Sequence, residues 1–213
     1  MTRRFALLGI ALLALASCAK PPPVVQAPPG RIVIGAFTAD PSVVVLDDSV
    51  RRTHTGTETD DDMAAAQDTL VTTLLYRLQE NGIVAQRLVP GEAPGANDIV
   101  LDGRFDRISE GSRTERANGG GRPVVAGTLD VTGPGADGQR VTLASFTADS
   151  SAANVPGIRG GAAASAAALG TGGERARQLL IAGVQAEARR LANIFADQVR
   201  TFLTEKKLVP TAS

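Results

Sequence analysis

The chain has 213 residues, and its 22 basic and 22 acidic side chains leave no formal net charge. That balance argues against a strongly basic surface made for nucleic acid. Aromatic residues make up 3%, Trp is absent and there is one Cys, so the core must come from Val, Leu, Ile and Ala, and no intrachain disulfide can form.

Residues 1–17 read as an export signal. Arg3 and Arg4 give the positive end, residues 5–16 carry no charge, and small residues follow. The apolar run is well short of the roughly 20 residues a spanning helix needs, so cleavage is expected, between Ser17 and Cys18. Leu15-Ala16-Ser17-Cys18 resembles the lipobox of bacterial lipoproteins. The resemblance implies that Cys18 is joined to diacylglycerol and that its new amine is acylated. Several acyl chains anchor stably where one holds only marginally, at about 0.8 kcal/mol per buried CH₂. Only the arginine pair matches a twin-arginine signal, so ordinary secretion is the default. Ala19 stands where an Asp would favour the inner membrane, so the outer membrane is expected. Residues 18–30 form a tether. Pro21, Pro22, Pro23, Pro28 and Pro29 fix the backbone in an extended form. At roughly 3.1 Å per residue it reaches about 35–40 Å.

Residues 31–208 are expected to form one domain, with a short tail at 209–213. Residues 31–37 are rich in β-branched side chains and read as a strand. Thr38-Ala39-Asp40-Pro41 breaks it, and 43–46 is a second short extended piece. Residues 47–62 are acidic and turn-like. The spacing of Met63, Ala66, Leu70, Leu74 and Leu78 predicts a helix over 62–81. Asp60, Asp61 and Asp62 are read as its N-terminal caps and Gly82 as its C-terminal cap. A strand over 83–89 and a turn over 90–95 follow.

Residues 98–109 alternate most cleanly. Ile99, Leu101, Gly103 and Phe105 share one face, and Asp102, Arg104 and Asp106 share the other. Residues 123–132 and 140–147 read as a hairpin around the glycine-rich turn at 133–138. Residues 150–173 are dominated by Gly, Ala and Ser and read as a mobile loop. A second helix is expected over 174–207, with its stripe through Leu180, Val184, Leu191, Phe195, Val199 and Phe202. Gly183 weakens its first turns, and Lys206 and Lys207 complement its dipole. The fold class is therefore α+β: a small mixed β-sheet packed against two long α-helices.

Phe37-Thr38-Ala39-Asp40-Pro41 after a strand, a capped helix leading to Asn81-Gly82-Ile83, the 98–113 stretch and a closing helix around 191–203 recur in that order. Together with the lipobox they resemble the envelope lipoproteins grouped as domain of unknown function 4410, over roughly 31–207. The Gly/Ala-rich 150–173 stretch departs from that pattern. The resemblance implies an envelope location and this fold, and no activity. A more distant likeness joins the helix-to-strand segment to periplasmic lipoproteins that serve curli secretion or activate cell-wall synthases.

No catalytic constellation emerges. His54 is the only histidine, and nothing nearby marks a nucleophile for it. Asp47, Asp48, Glu58, Asp60, Asp61 and Asp62 form an acidic run without the interleaved spacing and glycine of a calcium loop. The glycines at 119–121 and 157–173 lack a following Gly-Lys-Ser/Thr. Asp102, Arg104, Asp106 and Arg107 read as a wet strand face. No cofactor, metal or nucleic-acid partner is expected. The expectation is a lipid-anchored, non-enzymatic binding or scaffolding protein on the periplasmic face of the outer membrane, with an unidentified envelope partner. The alternatives are an envelope hydrolase using the acidic run, or a purely structural lipoprotein.

Overall fold

In the computed structural model, which describes residues 30–46, 56–112, 121–151 and 173–208, the cleanest alternating segment becomes the hub of the sheet. β1 (Ile32–Thr38) and β2 (Val44–Val45) lie end to end along one side of β4 (Ile99–Ser109). Both run parallel to it, with Ile32 opposite Ile99 and Val44 opposite Ile108. Between them a one-turn helix, Pro41–Val43, carries the chain past a break. Asp40 starts that turn by accepting the Ser42 N–H at 2.8 Å; the Ser42 hydroxyl first, and then that amide, hold its carboxyl below the usual range. β3 (Ala85–Arg87) pairs parallel with the outer side of β1. On the other side of β4, β5 (Val124–Pro134) and β6 (Arg140–Asp149) form an antiparallel hairpin. The six-stranded sheet thus has the order β3-β1-β4-β5-β6, with β2 also on β4.

Two helices cover one face. α1 (Gly56–Glu80) packs over β1 and β3, α2 (Gly173–Glu205) over β5 and β6, and the helices pack on each other. Every fourth residue of α1 from Asp62 through Ala66, Leu70 and Leu74 to Leu78 is buried. The stripe of α2 runs through Val184, Ala188, Leu191, Phe195, Val199 and Leu203, with Phe202 only partly buried. The few aromatics are concentrated. Phe37 lies 6.0 Å from Phe105 and 6.4 Å from Phe195, ring centre to ring centre. The Phe37 ring occupies the space above Gly103, its partner across β1 and β4, where a Cβ would collide with it. Gly103 is therefore a core position with its volume supplied by a neighbour.

Both helices stop in the same way. The Ile83 and Gly82 N–H groups return to the carbonyls of Leu78 and Gln79, each at 2.9 Å. Those of Leu208 and Lys207 return to Leu203 and Thr204, at 2.8 and 3.0 Å. These are Schellman ends, which place the residue just past the helix in the left-handed region. Gly82 (φ 74°) meets that requirement freely, whereas Lys207 (φ 54°) carries a side chain into it. Lys206 and Lys207 lie beyond the last turn of α2, so the expected dipole role gives way to a backbone one.

α1 begins six residues before the expected start, so 56–62 are helical rather than turn-like. Asp60, Asp61 and Asp62 lie in its second turn and are not caps. Carboxylates are favoured near a helix start as well as at the cap itself, so the acidic run does not mark the boundary. Gly183 lies inside α2, where it admits the Pro123 ring; a Cβ there would sit 3.0 Å from Pro123 Cγ. Of the 150–173 stretch, only Ser150, Ser151 and Gly173 fall within the described residues.

The face away from the helices is not bare. Val33 and Val100 point there, pair with each other across β1 and β4, and are 0% and 2% exposed. β3 and β4 lie on opposite sides of β1, so the crossovers through α1 and through residues 88–98 run in opposite lateral directions. Both can be right-handed only from opposite faces of the sheet. Residues 88–98 accordingly recross the helix-free face, tied by Glu92 to Arg31 at 3.2 Å and by Asn97 to the Gly30 N–H at 2.8 Å.

Candidate functional site: a carboxylate pair on the helix-free face

β1 is in register with β4 at Ile34–Leu101 and again at Phe37–Gly103, so one extra residue is accommodated at Gly35–Ala36. Such a bulge re-aims the groups beside it. Here it turns the Ala36 N–H toward the carboxylate of Asp102. Gly35 leaves the room that carboxylate fills, because a Cβ on Gly35 would collide with Asp102 Oδ1. Asp130 of β5 stands directly across from Asp102. Burial pushes the Asp102 carboxyl above its usual range, and the Asp130 charge adds to the shift. The Ala36 amide and the positive charge of Arg140 oppose it.

Beside this pair the face is a ladder of polar contacts. Thr128 Oγ1 donates to Asp106 Oδ2 at 2.8 Å and lies 3.3 Å from Thr147 Oγ1. Arg104 Nε reaches Asp106 Oδ1 at 3.2 Å. Past Phe105 a second bulge leaves no β5 residue in register opposite Asp106, and Ile108 returns to the core. At the near end, Arg140 donates to the carbonyls of Asp98 and Gly95 at 2.8 and 2.9 Å, stapling the hairpin to the 88–98 crossing.

Two facing carboxylates, one with a raised pKa, can share a proton or sit beside a cation. Among the described residues no group of three or more His, Cys, Asp and Glu is arranged to hold a metal. Asp60 and Asp61 are exposed on α1, on the helix side of the sheet, so they do not join Asp102 and Asp130. Asp62 is buried within α1. Cys18, Asp47, Asp48, His54, Gly119 and Gly120 lie outside the described residues, as do the signal and the prolines of the tether; the side chain of Glu58 is likewise outside them. Among the described residues no helix is long and apolar enough to cross a membrane. Sequence reasoning placed Asp102 on the correct face but missed its pairing with Asp130. Gly35 inside β1 was an available signal for the close approach of Asp102, since such a glycine marks a bulge or close approach; no residue pattern signals Asp130.

An α+β domain with two helices over one face of a mixed sheet, and a carboxylate pair on the other, is what these features define. The model of a family described as a domain of unknown function (DUF4410) matches residues 32–156, and the chain belongs to that family. No curated protein matches the chain. Among solved structures it is similar to a dodecamer of a PelC variant from Paraburkholderia phytofirmans. They share 18% identity over 77% of this chain and 90% of that one, with a TM-score of 0.31. A second PelC dodecamer from the same organism shares 16% identity over 78% and 89%, with a TM-score of 0.29.

Proposed function

We propose that this protein is a lipid-anchored binding or scaffolding protein of the cell envelope, non-enzymatic, held through Cys18 on the periplasmic face of the outer membrane. The observation that carries the reading is the continuous run from Arg3 to Gly30: charged start, short apolar stretch, Leu15-Ala16-Ser17-Cys18, then five prolines. This run ends where the sheet begins, with the Gly30 N–H bonded to Asn97 O. A lipid at Cys18 would hold the domain about 35–40 Å from the bilayer, at roughly 3.1 Å per extended residue.

Metabolic labelling with a palmitate analogue tests the anchor. Label is expected on the native chain, in the membrane fraction, and on none of an exported Cys18→Ser form. An unlabelled, soluble native chain would refute it. Cross-linking in intact cells then tests the binding role. One enriched envelope protein, weakened in the Cys18→Ala form, supports a tethered adaptor; no enriched protein in either form sinks it.

A further inference from the structure

β6 is a ten-residue strand at the edge of the sheet. Between residues 141 and 148 it has no charged side chain and no proline, two of the usual guards against pairing with another chain. Its bulge, at Leu143, lies near one end. Among the described residues no strand pairs with its outer side, so its outward N–H and C=O groups form a row that a further backbone would complete.

α2 runs beside this edge. Between them lies a shallow groove of about 390 Å³, lined by Phe146 of β6 and by Asp197, Gln198, Thr201, Phe202 and Glu205 of α2. Phe146 and Phe202 meet edge to face at 6.2 Å and make its apolar part. Asp197 and Glu205 are exposed. Arg200 reaches Asp197 only at 3.7 Å and at the surface, too far and too wet to cancel its charge. Gln198 Oε1 is buried and finds no donor within the described chain.

We infer that this groove receives an extended peptide segment of another protein, added as a seventh strand along β6. An edge strand flanked by a helix is a recurrent arrangement for strand addition: backbone bonds supply affinity, and alternate side chains read the groove. The occupant carries an apolar side chain for the Phe146–Phe202 pair and Lys or Arg side chains for Asp197 and Glu205. A second copy fits poorly. It would set one acidic rim against another, and its own β6 offers no basic residue between 141 and 148. The surface gives the binding role above a location, but its test needs no lipid and stands apart from the anchor.

The purified full-length chain in detergent micelles is titrated with a fluorescein-labelled nine-residue peptide, read by fluorescence anisotropy. The peptide's alternate positions, which share one face of an extended strand, carry lysine, leucine and lysine, with threonines between them. Saturable binding is expected. It should weaken at least tenfold when the lysines become glutamates, and at least tenfold when alternate backbone amides are N-methylated. Asp197→Lys with Glu205→Lys alters two exposed positions of α2. That variant should lose the lysine peptide at least tenfold and gain the glutamate peptide, a reversal that misfolding cannot produce. Absence of saturable binding at millimolar peptide overturns the inference. So does indifference to N-methylation, or a dimer in sedimentation that the peptide fails to dissociate.

Discussion

Asp98 holds Arg31 at three points. Its Oδ1 accepts the Arg31 backbone N–H at 2.9 Å, and its Oδ2 accepts Nε and Nη2 at 3.2 and 2.9 Å. The same Oδ2 takes the Gly95 N–H at 2.9 Å. One nearly buried carboxylate thus joins the starts of β1 and β4 to the crossing that covers them.

The hydrogen bonds from Arg31 keep the Asp98 carboxyl below the usual range, against the opposing effect of burial. The unfolded chain therefore takes up that proton first. The contribution of Asp98 is complete above about pH 4, the unfolded carboxylate value, and is lost as pH falls through the lower folded value. Asp98→Ala is expected to cost about 1–3 kcal/mol at pH 7, since it removes the charged acceptor of part-buried bonds from Arg31 and Gly95. Urea unfolding at pH 7 and pH 3 should show a smaller acid loss in Asp98→Asn than in the native chain.

Asp102 should behave in the opposite sense. Its carboxyl is raised by burial and by Asp130, so the folded chain binds this proton more readily than the unfolded one. The stability this group contributes is full below the unfolded value of about 3.9 and is lost as pH rises through the folded one. Asp102→Asn, which can still accept the Ala36 N–H, should raise the melting temperature at pH 7 and leave it little changed at pH 3. A fall at pH 7 would show that the carboxylate is favoured there.

Gly103→Ala forces a methyl group into the Phe37 ring, itself packed against Phe105 and Phe195. Overpacking of this kind costs about 1–3 kcal/mol, measurable as a lower urea midpoint with unchanged slope. Gly35→Ala should cost less, because the obstructing Asp102 carboxylate can swing into solvent where a packed ring cannot.

Lys207→Gly should stabilise the chain by about 0.5–1 kcal/mol, since it relieves a side chain held at positive φ. Gly82→Ala should destabilise by a similar amount for the same reason at the end of α1. Thermal melts of the two variants should therefore move in opposite directions.

The local patterns were legible and the registers were not. Period-two alternation in 98–109 located β4 and its core face through Phe105, because a half-buried strand leaves that signature directly. The stripe from Ala66 to Leu78 located α1 for the equivalent reason. The start of α1 was not legible, since acidic residues suit a helix's first turns as well as its cap. Asp102 and Asp130 are 28 positions apart. Their meeting depends on the register of β4 against β5, which a bulge at Asp106 shifts by one residue without changing the composition around it. The crossing of 88–98 over Val33 and Val100 was hidden too. Its course follows from the strand order, which no single segment encodes.

The position of β1 has a mechanical consequence. It lies between β3 and β4, parallel to both, and the chain enters it at Gly30. A pull on that end acts along the strand. It loads the bonds to both neighbours together, in shear, rather than peeling them apart one at a time as it would from a terminal hairpin. Tension arriving through the N-terminal segment therefore meets the domain along a strand braced on both sides.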